Sequence, residues 1–122
     1  MNAESLASAI VGHLVGDYLL QNDWMALNKK GPGIMGGLAL AVHSFIWAVC
    51  VCSFAGFWPT LAFAILYATH MLQDGTNIVM FWMTRINRQS AFASPPLALW
   101  SIIVVDNVWH ILTIWIVWRF FV

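Results

Sequence analysis

Charged side chains are scarce in this chain of 122 residues, because Asp, Glu, Lys and Arg together make up 8%. A water-soluble domain carries about 25% of these residues, since its surface must be hydrated. The formal net charge is zero, and there is no basic tail to attract a nucleic acid. The lack of charge therefore argues against a soluble domain and against a nucleic-acid partner.

Cysteine and N-terminal basic residues are also scarce. Cys50 and Cys52 are two residues apart, which places them on different faces of a helix. This spacing argues against a disulfide and against a zinc site built on two thiolates. The segment from Met1 to Ser8 has no Lys or Arg, so it lacks the basic flank of a cleavable signal peptide. We expect this segment to belong to the mature protein.

Hydrophobic residues are abundant, at 61% of the chain, and they form long runs separated by polar turns. A transmembrane helix needs about 20 such residues, so the chain has room for four spans. We therefore predict an all-α integral membrane protein, a four-helix transmembrane bundle with antiparallel up-down topology. Its helices are predicted at residues 5–28, 34–57, 60–84 and 97–121 of one domain that covers residues 1–122.

Basic residues in two loops predict the orientation of this bundle. They are Lys29 and Lys30 in the first loop and Arg85 and Arg88 in the third. The positive-inside rule places these loops in the cytoplasm and both termini outside, in a bacterial-type inner membrane. Membrane lipid is then the expected partner. Gly36 and Gly37 would also allow close helix contact in a homo-oligomer.

Three pairs of histidine and aspartate, each four residues apart, interrupt the apolar helices. They are His13–Asp17, His70–Asp74 and the reversed pair Asp106–His110. Residues at this spacing share one helix face. Because the fourth helix runs opposite to the first and third, the reversal predicts one layer of histidines and a layer of aspartates about 5.4 Å deeper. A fourth histidine, His43, is predicted at a similar depth.

A charge at the centre of a bilayer costs at least about 2.5–3.5 kcal/mol, so buried carboxylates need a compensating partner. Imidazole and carboxylate are common ligands of zinc, and also of manganese and iron. We therefore predict one or two divalent metal ions, with zinc first and manganese or iron as alternatives. The predicted ligands are His13, Asp17, His43, His70, Asp74, Asp106 and His110. The predicted supporting residues are Gln21, Gln73, Asn77 and Asn107.

Two other uses of the histidines remain open at this point. A proton relay or a hydrogen-bond network between helices would also place polar groups at one depth. A haem held by two histidines is compatible with a four-helix bundle. The aspartate beside each histidine makes haem less suitable, because a carboxylate would point into the same space.

The segment His13-Leu-Val-Gly-Asp17-Tyr18-Leu-Leu-Gln21, followed by Trp24, resembles the opening of a domain-of-unknown-function family of small bacterial and phage membrane proteins. That family shows the signature His-x-x-x-Asp-[Phe/Tyr]-x-Leu-Gln, and its later elements would correspond to His43 and the pair His70–Asp74. The resemblance implies no particular activity. A looser similarity to membrane-bound metal-dependent hydrolases implies metal binding and hydrolysis.

The leading functional hypothesis is a metal-dependent hydrolase that acts on a phosphoester or lipid headgroup from the cytoplasmic side, with its catalytic residues unassigned. The first alternative is a transporter or channel for divalent cations or protons, which would need polar residues on both sides of the site. The sequence shows polar residues mainly on the cytoplasmic side. The second alternative is a structural or interaction protein with a metal-stabilised core.

Overall fold

The structure is a computed structural model that describes residues 2–122. These residues form six α-helices and contain no strand, which confirms the all-α class for this part of the chain. The helices are α1 (Ala3–Leu14), α2 (Asp23–Asn28), α3 (Gly33–Ala55), α4 (Thr60–Gly75), α5 (Ile78–Phe81) and α6 (Trp100–Phe121). Five-residue π-helical turns extend α1 over Val15–Leu19 and α5 over Trp82–Ile86.

Four of these helices close into a ring, in which α1 contacts α3, α3 contacts α4, α4 contacts α6, and α6 contacts α1. We call this arrangement the helix ring. Neighbours in it run antiparallel: Ser5 Oγ, near the start of α1, donates a hydrogen bond of 2.9 Å to the carbonyl of Ala55 at the end of α3. The short helix α2 packs on α3, and α5 packs on α4 and α6.

The first predicted helix, over residues 5–28, is interrupted at residues 20–22. Asn22 begins a new helix there, because its side chain accepts a hydrogen bond of 3.0 Å from the backbone N–H of Met25. Asparagine favours this capping position over a helix interior, where it competes with the backbone. The interruption turns α2 back towards α3, so that the following loop lies beside the helix ring.

The third and fourth predicted helices also differ from the structure. The helix predicted over residues 60–84 is interrupted after Gly75, where the Thr76 side chain accepts a hydrogen bond of 3.3 Å from the N–H of Ile78. The helix predicted from residue 97 starts at Trp100, because Leu99 has a φ of 75° in the left-handed region. The second helix, predicted over residues 34–57, differs from α3 by at most two residues at either end.

Two helices, α3 and α6, are long and apolar enough to cross a membrane, which corrects the expectation of four spans. The α-helical parts of α1 and α4 have 12 and 16 residues, short of the length of about 20 that a span needs. Hydrophobic composition suggested four spans because it does not reveal where a helix is interrupted, as it is at residues 20–22 and 76–77. Two apolar helices of this length are consistent with a membrane protein.

The interior of the helix ring is divided into an apolar half and a polar half. A buried apolar cluster fills the half near the start of α1 and the end of α6; it consists of Ala9, Trp47, Ala48, Val51, Cys52, Ala62, Leu66, Ile114, Val117 and Trp118. The histidine–aspartate pairs lie next to this cluster, towards α2 and the start of α6. Polar side chains therefore meet in a part of the ring that apolar packing closes on one side.

Candidate metal centre

The helix ring brings six of the seven predicted ligands together. They are His13 of α1, Asp17 of the π-helical turn after it, His43 of α3, His70 and Asp74 of α4, and His110 of α6. The four histidines are completely buried, and Asp74 is nearly so. The seventh, Asp106, lies at the edge of the group with its side chain 29% exposed, and its Oδ2 is 3.6 Å from His110 Nδ1.

Four ligand atoms form a compact cluster, which we call the four-ligand cluster: Asp17 Oδ1, His43 Nε2, His70 Nε2 and Asp74 Oδ2. The two imidazole nitrogens are 3.1 Å apart. Asp17 Oδ1 lies 3.3 Å from His43 Nε2 and 3.6 Å from His70 Nε2. Asp74 Oδ2 lies 3.0 and 3.5 Å from the same two nitrogens. All five distances thus fall between 3.0 and 3.6 Å.

These five distances match five of the six edges of a tetrahedral metal site, all but the one between the two carboxylate oxygens. Ligand bonds of about 2.0–2.1 Å to zinc place neighbouring tetrahedral ligands about 3.3–3.4 Å apart. The aspartates and histidines of the cluster are also near enough, with ligand atoms all within 4.8 Å of one another, to share one ion. These residues could therefore hold a metal ion whose identity their geometry leaves open between zinc, manganese and iron.

Several buried polar atoms at this centre have no hydrogen-bond partner among the described residues. They include Asp17 Oδ1, His43 Nδ1, His70 Nδ1, and both ring nitrogens of His110. Buried polar groups in folded proteins are nearly always paired, because desolvation without a partner costs about 1–3 kcal/mol for each group. A cation would provide the missing interaction for Asp17 Oδ1, which faces the centre of the four-ligand cluster.

His13 differs from the other histidines because both of its ring nitrogens already have protein partners. The indole N–H of Trp47 donates a hydrogen bond of 2.9 Å to His13 Nδ1. This bond assigns the imidazole proton to Nε2, which lies 2.9 Å from Asn107 Oδ1 and donates to it. His13 Nδ1 also lies 3.2 Å from Asp17 Oδ2. The hydrogen bonds suit His13 to holding Trp47 and Asn107 in place.

Trp47 is a part of the site that the sequence analysis missed. Besides its bond to His13, its indole stacks on the imidazole of His70, with centroids 4.1 Å apart and planes at 13°. The available signal was its spacing, since Trp47 follows His43 by four residues and so shares its helix face. Trp47 thus positions histidines from two other helices.

Lys29 is the second missed residue, because it was expected only in a cytoplasmic loop, where it sets the orientation of the bundle. Its ammonium group lies 2.5 Å from Asp74 Oδ2 and also donates a hydrogen bond of 2.7 Å to Gln21 Oε1. The interruption of the helix after Leu20 makes this contact possible, since a continuous helix would carry Lys29 away from Asp74. Gln21, a predicted supporting residue, therefore acts on Asp74 through Lys29.

The other predicted supporting residues have different surroundings. Asn107 accepts from His13, and its amide nitrogen donates to the Tyr18 hydroxyl. Gln73 donates a hydrogen bond of 2.9 Å to Thr113 Oγ1 instead of to a predicted ligand. Asn77 is exposed at the start of α5 and contacts none of the predicted ligands through a hydrogen bond, although it lines a nearby cavity.

Two cavities adjoin the centre. A polar cavity of about 290 Å³ is lined by Asp74, Asp106, Lys29 and Lys30, among others. An apolar cavity of about 410 Å³ lies between α4, α5 and α6, and Gln73 and Val79 line both cavities. Of the four basic residues in the predicted cytoplasmic loops, Lys29 and Lys30 line the polar cavity, whereas Arg85 and Arg88 line neither cavity.

Residues 6–122 match the family model described as "Protein of unknown function (DUF3307)". Because this match spans nearly the whole chain, the protein belongs to that family. The curated proteins and the solved structures compared with the chain contain no match to it. The expected membership of a domain-of-unknown-function family is thus confirmed, whereas the looser similarity to membrane-bound hydrolases is not shown.

We expect Trp47→Phe to lower the free energy of unfolding by about 1–3 kcal/mol, because it leaves His13 Nδ1 buried without a donor. The phenyl ring can still stack on His70, but it is smaller than the buried indole, so the measured loss combines the missing hydrogen bond with reduced packing. The matched control is Trp115→Phe, since Trp115 is exposed on α6. Thermal unfolding in detergent measures both variants. Equal melting temperatures for the two variants would contradict the role assigned to Trp47.

Proposed function

We propose that this protein is a membrane-embedded hydrolase that needs a divalent metal and acts on a phosphoester of a membrane lipid. The observation that carries the proposal is the tetrahedral spacing of the four-ligand cluster. Zinc is the first candidate for the ion, because four ligands of imidazole and carboxylate type suit it well. Manganese and iron accept the same ligand types and are the alternatives.

The outer surface of the helix ring supports the membrane setting of this proposal. Large apolar side chains are exposed on α3 and α6, with Ile34 at 90% and Phe120 at 69% exposure. A soluble monomer rarely exposes extended apolar surface, whereas lipid chains would cover it. Following the positive-inside rule, we place the loops with Lys29, Lys30, Arg85 and Arg88 in the cytoplasm and both termini outside. This orientation requires the interrupted segments 3–28 and 60–86 to cross the bilayer within the helix ring, beside the two full-length apolar helices α3 and α6.

The two cavities support an amphiphilic substrate. Lys29 and Lys30 line the polar cavity and could neutralise a phosphate group next to Asp74. The apolar cavity, which shares Gln73 and Val79 with the polar one, has a lining suited to an acyl chain. A phospholipid has a phosphate head and an apolar tail, so one molecule could occupy the two neighbouring cavities.

The chemistry assigned to the residues of the chain is proton transfer and charge neutralisation. When bound, the metal would supply Lewis acidity and lower the pKa of water. Asp106 lies at the edge of the centre and lines the polar cavity, so a carboxylate oxygen of Asp106 that binds no ion could accept a proton from attacking water. Lys30 could stabilise negative charge on the phosphate, because it lies at the same cavity.

A structural role of the metal is the second candidate, and the number of ligands favours it. Four protein ligands can saturate a tetrahedral ion, as they do in structural zinc sites. In that case the metal would join α1, α3 and α4, and the protein would act through its surface or as a homo-oligomer. Transport has less support, because the apolar cluster fills the other half of the helix ring within residues 2–122.

Metal binding is tested by elemental analysis of the purified full chain after dialysis against zinc. We expect at least one ion per chain in the wild type and at least a 100-fold weaker affinity in His43→Gln, which removes one ligand. The matched control Asp23→Asn changes an exposed carboxylate of α2 and should bind like the wild type. Wild-type protein without stoichiometric metal would refute the proposal.

Hydrolysis is tested with zinc- or manganese-loaded protein in nanodiscs that contain phosphatidylglycerol, by measuring the release of water-soluble phosphate compounds. We expect a chelator to abolish release. Lys30→Gln should lower kcat/KM about tenfold, because one fewer positive charge faces the phosphate. Arg88→Gln, an exposed residue outside both cavities, is the control. Metal-loaded protein that releases nothing would favour the structural role.

A further inference from the structure

Both central aspartates turn their two oxygens towards different histidines. Asp17 Oδ1 faces His43 and His70 in the four-ligand cluster, whereas Asp17 Oδ2 lies 3.4 Å from His110 Nδ1. Asp74 repeats the pattern, since its Oδ2 faces His43 and its Oδ1 lies 3.4 Å from His110 Nε2. These two oxygens face different ring nitrogens of His110, and an imidazole binds a given ion through one nitrogen, so only one of the two aspartates can bridge to an ion on His110. Asp74 is the candidate, because its ligand atoms lie within 4.8 Å of those of His110 and Asp106.

His110 is the feature that a single ion leaves unexplained. Its side chain is only 1% exposed, yet neither ring nitrogen has a hydrogen-bond partner in the described part of the chain. Asp106 Oδ2 lies 3.6 Å from His110 Nδ1, on the side of the polar cavity. Ligand atoms of Asp74, Asp106 and His110 also lie within 4.8 Å of one another. A buried imidazole whose ring nitrogens have no hydrogen-bond partner, next to three carboxylates, is a candidate ligand of a second cation.

We infer that the protein binds a second divalent cation, held by His110 and Asp106 and bridged to the first ion by Asp74. The inference rests on the proposed function, because it needs the first ion in the four-ligand cluster. Bridging carboxylates typically hold two metals about 3.5–4 Å apart. His43 and His70 then bind the first ion alone, while His110 and Asp106 bind the second alone.

The charges at the centre indicate how the two sites differ. Three carboxylates, those of Asp17, Asp74 and Asp106, face one ammonium group, that of Lys29. One divalent ion brings the total charge of these three carboxylates and one ammonium group to zero, so a second ion leaves the centre positively charged. The second ion therefore binds more weakly on its own and more strongly with an anion. A phosphate group in the polar cavity, beside Asp106 and the lysines, would supply that negative charge.

The test loads the full chain with manganese alone, and separately with manganese and inorganic phosphate. Elemental analysis gives the number of ions, and electron paramagnetic resonance reports whether they are magnetically coupled. We expect two Mn²⁺ ions per chain with a coupled spectrum, and at least a tenfold higher affinity for the second ion when phosphate is present.

Asp106→Asn removes a ligand of the second ion only, and its partial exposure makes the change compatible with folding. We expect this variant to bind one Mn²⁺ with an uncoupled spectrum. The control Asp23→Asn loses an exposed carboxylate and should keep two coupled ions. Thermal unfolding checks that each variant is folded.

The possible outcomes distinguish a failure of the second metal site from a failure of the first. A wild-type chain with one uncoupled ion overturns the second site and leaves the proposed function standing. Two uncoupled ions overturn the bridging by Asp74. Two coupled ions in Asp106→Asn overturn the part assigned to Asp106. A wild-type chain that binds no ion overturns the proposed function together with this inference, whatever the variants do.

Discussion

The central constraint in this protein is the burial of two carboxylates, those of Asp17 and Asp74, among four imidazoles in the helix ring. Anions in an apolar interior need compensation, because their desolvation costs several kcal/mol each. Lys29 pairs with Asp74, whereas Asp17 faces only imidazole groups. The ring therefore has the charge, the donor atoms and the spacing to attract a cation.

Much of the remaining structure serves to bring groups to these carboxylates. The π-helical turn after α1 carries Asp17, and π-helical turns often occur at functional sites. The break at residues 20–22 returns Lys29 to Asp74, and the break after Gly75 shapes the polar cavity beside it. These irregularities shorten two helices below the length of a membrane span. The same helix interruptions that shorten α1 and α4 therefore also bring the groups of the site together.

The sequence predicted the class of fold and the meeting of the histidine–aspartate pairs, because four-residue spacing on antiparallel helices fixes a face and a relative depth. It could not predict the contributions of Lys29 and Trp47. Lys29 reaches the centre only through a chain reversal, and hydropathy does not reveal the Asn22 cap that makes it. The difference between His13 and the other histidines depends on a tertiary hydrogen bond from Trp47, which no spacing specifies.

The central claim is that imidazole and carboxylate groups of the helix ring bind a metal ion. X-ray absorption spectroscopy of the zinc-loaded protein tests this claim directly, because it measures the types and distances of ligand atoms. The account predicts only nitrogen and oxygen ligands, at about 2.0–2.1 Å, with the scattering pattern of imidazole. A sulfur ligand at about 2.3 Å, as Cys50 or Cys52 would supply, or a shell of water alone would contradict it.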